Sequence, residues 1–475
     1  MSDAHAQIPA NPASRDWNLL IVGPVLLLLA TSVAIVGWNE PLAAGILVAV
    51  PLLPFLIYAL VRGISGDRTY GSLLAVAIFF ILCANFRFRD YTEKSIDFQV
   101  ALKIIALLAA LGFSFLWLKS IARHLYLYGL AYWMAFYLFM VLSSSYAMAP
   151  AHAAVSTLSL LASFLFLCYL CVRYGPHRMV EVLVWTGFVL CLASLVVYFA
   201  VPSFGRMTDW EGQFQVVTSR LQGLFGASNG AGSAAATLIF LTAAFYVGHP
   251  DASRRMGYAT IALAAICLIL SNNRMALVSL GVSIGIYYLV SGSFGRKLLL
   301  LVSLGVLAVM PVLLFPEEIL TMLSRSGDIE EITSGTGRTR IWTVVLELIP
   351  QAPVLGRGYA SAQHILPLHP DLFLAAAHAH NLYLEMLFSG GLVGLALLIW
   401  CILTTVILAI RVGGARELAL FSFILPYGLT EPIIGGTTYL ALIVWQASVV
   451  LLFHRAKMHE QRLSAMSADR SQISR

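Results

Sequence analysis

The residues best suited to chemistry are arginines and histidines set between long apolar runs. Arg206, Arg220, Arg274, Arg325, Arg338, Arg340 and Arg357 all fall in such connecting segments, where arginine takes the place of lysine. A guanidinium stays charged at any physiological pH and offers a planar fork that grips phosphate or carboxylate oxygens through two parallel hydrogen bonds. An anion site is the expectation. Arg274 stands out because the turn Ser271-Asn272-Asn273-Arg274 joins two apolar runs through only about four polar residues. An ionisable group so close to membrane depth points to function, the alternative being a side chain that snorkels to the headgroups.

A second constellation is Ala377-His378-Ala379-His380-Asn381-Leu382-Tyr383-Leu384-Glu385, which enters an apolar run through Ser389-Gly390-Gly391. A histidine at the mouth of a membrane helix can take a proton near neutral pH, and a neighbouring amide or carboxylate can orient it. His378 and His380 are also metal-ligand types. A zinc site needs three or four ligands, and no third stands at a recognisable spacing; His364 and His369 qualify by proximity alone. No metal is therefore expected. Asp209-Trp210-Glu211 resembles a carboxylate pair for a divalent ion but reads equally as a solvated loop. The stretch Arg220-Leu221-Gln222-Gly223-Leu224-Phe225-Gly226-Ala227-Ser228-Asn229-Gly230 precedes a helix and suits either anion binding at the helix start or close packing of small residues. It lacks the Lys-Ser/Thr of a nucleotide-binding loop.

The elements that must position these groups are membrane helices. Of 475 residues, 60% are hydrophobic and 11% charged, and the mean hydropathy is +0.86, so a soluble fold could not cover its apolar surface. Apolar runs long enough to span occur at 19–36, 42–61, 71–86, 100–118, 125–142, 153–173, 180–200, 231–248, 257–270, 275–291, 298–315, 387–411, 417–430 and 437–453. The expected fold is all-α, a polytopic bundle of about 12–14 transmembrane helices with one large periplasmic loop. The boundaries expected are a cytoplasmic tail at 1–18, a bundle at 19–315, a loop at 316–386, C-terminal helices at 387–454 and a cytoplasmic tail at 455–475. The pairs Arg62/Arg68, Lys119/Arg123, Arg173/Arg178, Arg254/Arg255, Arg296/Lys297 and Arg411/Arg416 recur in alternate loops, which holds those loops inside and sends 201–230, 271–274, 316–386 and 430–432 outside. The net charge of +6 is thus a topology signal, and no nucleic-acid partner is expected. Within the large loop, Ile341, Trp342, Val345, Leu346 and Ile349 recur at helical spacing, predicting an interfacial helix from Arg338 that ends before Pro350 and Pro353. The six cysteines lie in or beside apolar segments; Cys168 and Cys171 read as packing residues.

In order and spacing, a set of these residues resembles the O-antigen ligase and O-antigen polymerase superfamily. The resemblance runs over roughly 215–395 and rests on Arg220, Gly223 and Asn229, then Asn273-Arg274. It continues through Gly337-Arg338-Thr339-Arg340-Ile341-Trp342 with Pro353-Val354-Leu355-Gly356-Arg357-Gly358, and His380-Asn381-Leu382-Tyr383-Leu384 with Gly391 and Gly394. It implies a helical inner-membrane glycosyltransferase whose active site faces the periplasm. The substrates implied are oligosaccharides on undecaprenyl diphosphate, and the implied partners are a chain-length regulator and polysaccharide export machinery. The extra apolar segments before residue 200 look most like exopolysaccharide polymerases of the family; a ligase transferring glycan to lipid A core, and a transporter or flippase for the lipid-linked saccharide, remain the alternatives.

The resemblance and the residue types converge on one mechanism. Arg274 and Arg338, with Arg220, would stabilise the departing diphosphate without a metal, and His380 would deprotonate an acceptor hydroxyl for an inverting attack. His378, Asn381, Arg340, Glu385 and Glu431 are the expected binding and orienting groups around them.

Overall fold

A computed structural model describes residues 67–86, 97–211, 214–298, 338–370, 377–435 and 439–473, with isolated positions at 31, 32, 35, 58, 61, 62, 302 and 372. The expected runs at 19–36, 42–61 and 298–315, the tail at 1–18, residues 316–337 of the expected loop with Arg325, and residues 474–475 of the expected tail at 455–475 lie wholly or almost wholly outside these residues. The helices used below are α1 (Arg68–Cys83), α2 (Phe98–Leu116), α3 (Leu127–Ser143), α4 (Pro150–Tyr174), α5 (Pro176–Ala200), α6 (Ser228–Leu241), α7 (Arg254–Ser271), α8 (Arg274–Ser291), α9 (Arg338–Leu348), α10 (Leu382–Arg411), α11 (Ala415–Ser422) and α12 (Leu440–Ile473).

The protein is an all-α polytopic membrane protein. Among the described residues, eight helices are long and apolar enough to cross a membrane: α2, α3, α4, α5, α7, α8, α10 and α12. Helices α4 and α5 begin on Pro150 and Pro176, whose fixed φ suits a first turn and whose missing N–H would have had no helical partner. Helices α4, α5 and α12 are buried over 78, 78 and 83% of their apolar windows, against 28% for α2 and 22% for α8, so the first three form the centre of the bundle. Trp133, Tyr137, Phe164, Phe421 and Trp445 interlock there, Trp133 meeting Trp445 edge-on at 5.1 Å. Gln446 of α12 is satisfied within this apolar centre: its Nε2 donates to Tyr137 Oη and Leu160 O at 3.0 Å each, and its Oε1 accepts from Ser163 Oγ at 2.8 Å.

Three features depart from the expected boundaries. Residues 206–221 form an antiparallel hairpin, β1 (Arg206–Glu211) and β2 (Phe214–Leu221), which holds the Asp209-Trp210-Glu211 tripeptide in its first strand. Helix α12 runs on to Ile473, past the expected start of the tail at 455. Helix α10 begins at Leu382 and is broken at Gly391, whose φ of 62° and ψ of −162° are open to glycine and strained for other residues. The segment 353–358 fills that break: the N–H groups of Arg357 and Gly358 donate to Phe388 O and Ser389 O at 2.9 Å, and the N–H groups of Leu392 and Val393 donate to Pro353 O and Val354 O at 2.9 and 3.1 Å. The backbone groups freed by the break are thereby paired again, as an apolar setting requires. The same bonds tie the chain leaving α9 to the helix that carries His380 at its mouth.

Candidate active site

Several helix ends and turns meet at one end of the bundle. Asn273 caps α8 by accepting from Ala276 N–H at 3.1 Å, and its Nδ2 donates to Asn229 O and to Tyr427 Oη at 3.0 and 3.1 Å. Asn381 caps α10, accepting from the N–H groups of Tyr383 and Leu384 at 2.9 and 3.0 Å while its Nδ2 donates to Leu429 O at 3.2 Å. The caps therefore stitch the starts of α8 and α10 to the turn that follows residue 427, and that turn presents Glu431.

Glu431 is the hub. Its Oε1 receives Asn229 Nδ2 at 2.6 Å, Arg338 Nη2 at 2.8 Å and His380 Nδ1 at 3.1 Å, and its Oε2 lies 3.9 Å from His378 Nε2. The residue is 7% exposed. Burial alone would push its carboxyl upward, but His380, His378 and Arg338 together outweigh that and hold it at about 2, so it is a carboxylate at neutral pH. His378 is held down at about 4, chiefly by burial and then by the neighbouring His380.

Arg338 is the first residue of α9, where the helix dipole disfavours a cation; pairing with Glu431 offsets that placement. Its distance in sequence from Glu431 is 93 residues, so only the fold brings them together. Arg220, at the end of β2, reaches Ser271 O and Asn229 Oδ1, both at 3.2 Å. Asn229 thus stands between Arg220 and Glu431. Arg274 is half-buried in the first position of α8, directly after Asn273.

The histidine loop is fixed at Ala379. Its N–H donates to Glu385 Oε2 at 2.9 Å, and its carbonyl accepts from Trp342 Nε1 of α9 at 2.9 Å. Glu385 is 1% exposed and also accepts from Ser389 Oγ at 3.2 Å, so its carboxyl oxygens serve the loop's backbone and the first turns of α10. His380 has φ of +47°, a strained conformation for a residue with a side chain, which tends to persist where surrounding contacts enforce it. The Nδ1 bond to Glu431 assigns the proton-bearing nitrogen to Nδ1 and leaves the Nε2 lone pair as base.

Of the residues singled out in the sequence, Arg338, His378, His380 and Glu431 are brought into direct proximity, and Arg220 joins them through Asn229. Asn381 acts as a helix cap, Glu385 anchors the loop, and Arg340 is exposed on α9. The glycine-rich stretch takes the packing role: Gly223 lies against Ser194 with no room for a Cβ, and Ser194 Oγ accepts from Leu224 N–H at 3.0 Å. Asn229, Asn273 and Tyr427 are the connecting residues that sequence reasoning gave no separate duty. The pair Asn272-Asn273 immediately ahead of α8 was the available signal for one of them. Sequence spacing offered no third metal ligand, yet the fold supplies one, since ligand atoms of His378, His380 and Glu431 lie within 4.8 Å of one another.

No curated protein matches the chain. Residues 259–399 match the family model described as O-Antigen ligase. The matched stretch contains Arg274, Arg338, His378, His380 and Glu385, while Arg220, Asn229 and Glu431 lie on either side of it. Over that stretch, less than a third of the chain, the protein is similar to the O-antigen ligase family, which supports the resemblance carried by its motifs to the ligase and polymerase superfamily of membrane glycan transfer.

Proposed function

We propose that the protein is a metal-independent, inverting glycosyltransferase of the bacterial inner membrane that joins undecaprenyl-diphosphate-linked repeat units into exopolysaccharide or O-antigen at the periplasmic face. The observation that carries this reading is the single carboxylate of Glu431 bonded to both Arg338 and His380. One carboxylate thus joins a guanidinium suited to phosphate and an imidazole suited to proton removal, which supports this reading. Arg338 and Arg274, with Arg220, hold the diphosphate of the donor. His380 Nε2 removes the proton of the acceptor hydroxyl, whose oxygen attacks the anomeric carbon from the face opposite the diphosphate. The bond from that carbon to the diphosphate oxygen breaks, and the electron pair leaves with the lipid diphosphate. Glu431 keeps His380 in the productive tautomer and balances the imidazolium that forms, a duty for which preorganised charge is well suited. The basic pairs in alternate loops support the periplasmic placement, and the extra apolar segments before residue 200 support the polymerase branch.

The ligase reading is favoured by the description of the matching family model. Purified protein in lipid, given lipid-linked repeat units alone, should produce longer lipid-linked chains, and His380→Ala should abolish them. Growth only when lipid A core is added would assign the ligase. Movement of the saccharide across the bilayer without bond formation would assign transport and refute the transferase.

A further inference from the structure

The convergence of His378, His380 and Glu431 admits a second occupant besides substrate. We propose that these three side chains form a binding site for a divalent transition-metal ion of the zinc class, and that its occupation and catalysis exclude each other. The donor set is two imidazole nitrogens and one carboxylate, which suits zinc and its neighbours, whereas magnesium and calcium prefer all-oxygen shells. The ligand atoms lie within 4.8 Å of one another. In a tetrahedral zinc site they would stand about 3.3 Å apart, so His378 Nε2 and Glu431 Oε2, now 3.9 Å apart, need to close by only a fraction of an ångström. Arg338 and Asn229 bind Oε1 of Glu431 and can stay there while Oε2 meets the ion, because a carboxylate has lone pairs on both oxygens. The same contacts fix the carboxylate, as outer partners of metal ligands do.

The exclusion follows from one nitrogen. In the arrangement described, His380 Nδ1–H donates to Glu431 and Nε2 keeps the lone pair that catalysis requires. An ion at the cluster takes the lone pair of Nδ1, so the ring proton must sit on Nε2. No proton is lost from the ring, but the base is. Metal binding itself is independent of the transferase reading; only the inhibition rests on it.

The test uses full-length protein in nanodiscs, stripped with chelator and then titrated with Co²⁺ and Zn²⁺ alone. One Co²⁺ per chain with the visible bands of a four-coordinate site, displaced by Zn²⁺ and weakened on the order of 100-fold in His378→Ala, is the expected result. Absence of stoichiometric Co²⁺ binding in the parent protein overturns the site, as does unchanged binding in a folded His378→Ala variant. Chain growth on lipid-linked repeat units should fall at least about tenfold at saturating Zn²⁺ and return with chelator. Unaltered or stimulated growth at full occupancy overturns the exclusion. Stoichiometric metal binding in a protein that elongates no chains even after chelation would sink the proposed function and leave the metal site standing.

Discussion

Exchanging the Glu431 carboxylate for the amide of glutamine keeps the side chain's shape and removes its charge. Two routes give the size of the effect. The carboxyl is held at about 2 against an ordinary 4.5, and each pKa unit corresponds to about 1.36 kcal/mol, so the folded surroundings favour the charged form by about 3 kcal/mol. Independently, the contacts to Arg338 and His380 at 2.8 and 3.1 Å lose their charge assistance, about 1–1.5 kcal/mol apiece, giving a similar figure. If that stabilisation is carried into the transition state, Glu431→Gln should lower kcat by roughly 10²-fold with a smaller change in KM. Thermal melting in detergent with chelator present should show a lower Tm at pH 7. Because the folded-state value lies below the ordinary one, the stabilisation is complete above about pH 4.5 and is lost as the pH falls towards about 2, so the parent and variant Tm values should converge in acid. The assay is elongation of lipid-linked repeat units, resolved by length on a gel, at matched amounts of inserted protein. A variant within threefold of the parent in kcat would refute the hub.

Three further outcomes follow from the surrounding contacts. Glu385→Ala strips the acceptor from buried Ala379 N–H, a loss of about 1–3 kcal/mol, and should reduce kcat, while Glu385→Gln should restore most of it by supplying an amide oxygen. Gly391→Ala puts a Cβ against the Val354 carbonyl at a positive φ, and should lower Tm and the yield of folded protein by a penalty of about 1–3 kcal/mol, read by melting and size-exclusion profiles. Arg220→Lys keeps the charge but cannot span Ser271 O and Asn229 Oδ1 as a fork, so KM for lipid-linked donor should rise about tenfold with a smaller change in kcat.

Much of the bundle was legible because lipid-facing helices need long apolar runs. The runs at 153–173, 180–200, 257–270 and 275–291 fall within α4, α5, α7 and α8 with ends shifted by a few residues, and the helix expected from Arg338 ends at Leu348, just before its proline. What escaped were features that hydropathy does not encode. The hairpin at 206–221 is short and sits beside a glycine-rich stretch, and the run at 417–430 is divided into α11 and a brief helical turn at Ile424–Tyr427 that contains Pro426. The site's residue types were legible individually, since arginine, histidine and acid are out of place in such a chain. Their partnership was not: Asn229 meets Glu431 across 202 residues and His380 meets it across 51, distances over which one sequence carries no pairing signal.

On the proposed function, the charge balance of the site accounts for a glutamate in a place that would hold an anion. Under the proposed function, Arg220 and Arg338 against Glu431 leave one positive charge among the residues joined by contacts, and Arg274 at the start of α8 would add a second for a diphosphate esterified at both ends. Without Glu431 the half-buried Arg338 would lose its ion-pair partner, and an uncompensated buried charge costs several kcal/mol. With it, one carboxylate neutralises Arg338, orients His380 and leaves the surplus that the leaving group needs. In the proposed transfer the departing diphosphate would gain charge while His380 would become an imidazolium, so the new negative charge would meet the arginines and the new positive charge Glu431. Both changes fall on partners already in place, so the site needs little reorganisation at the moment of transfer.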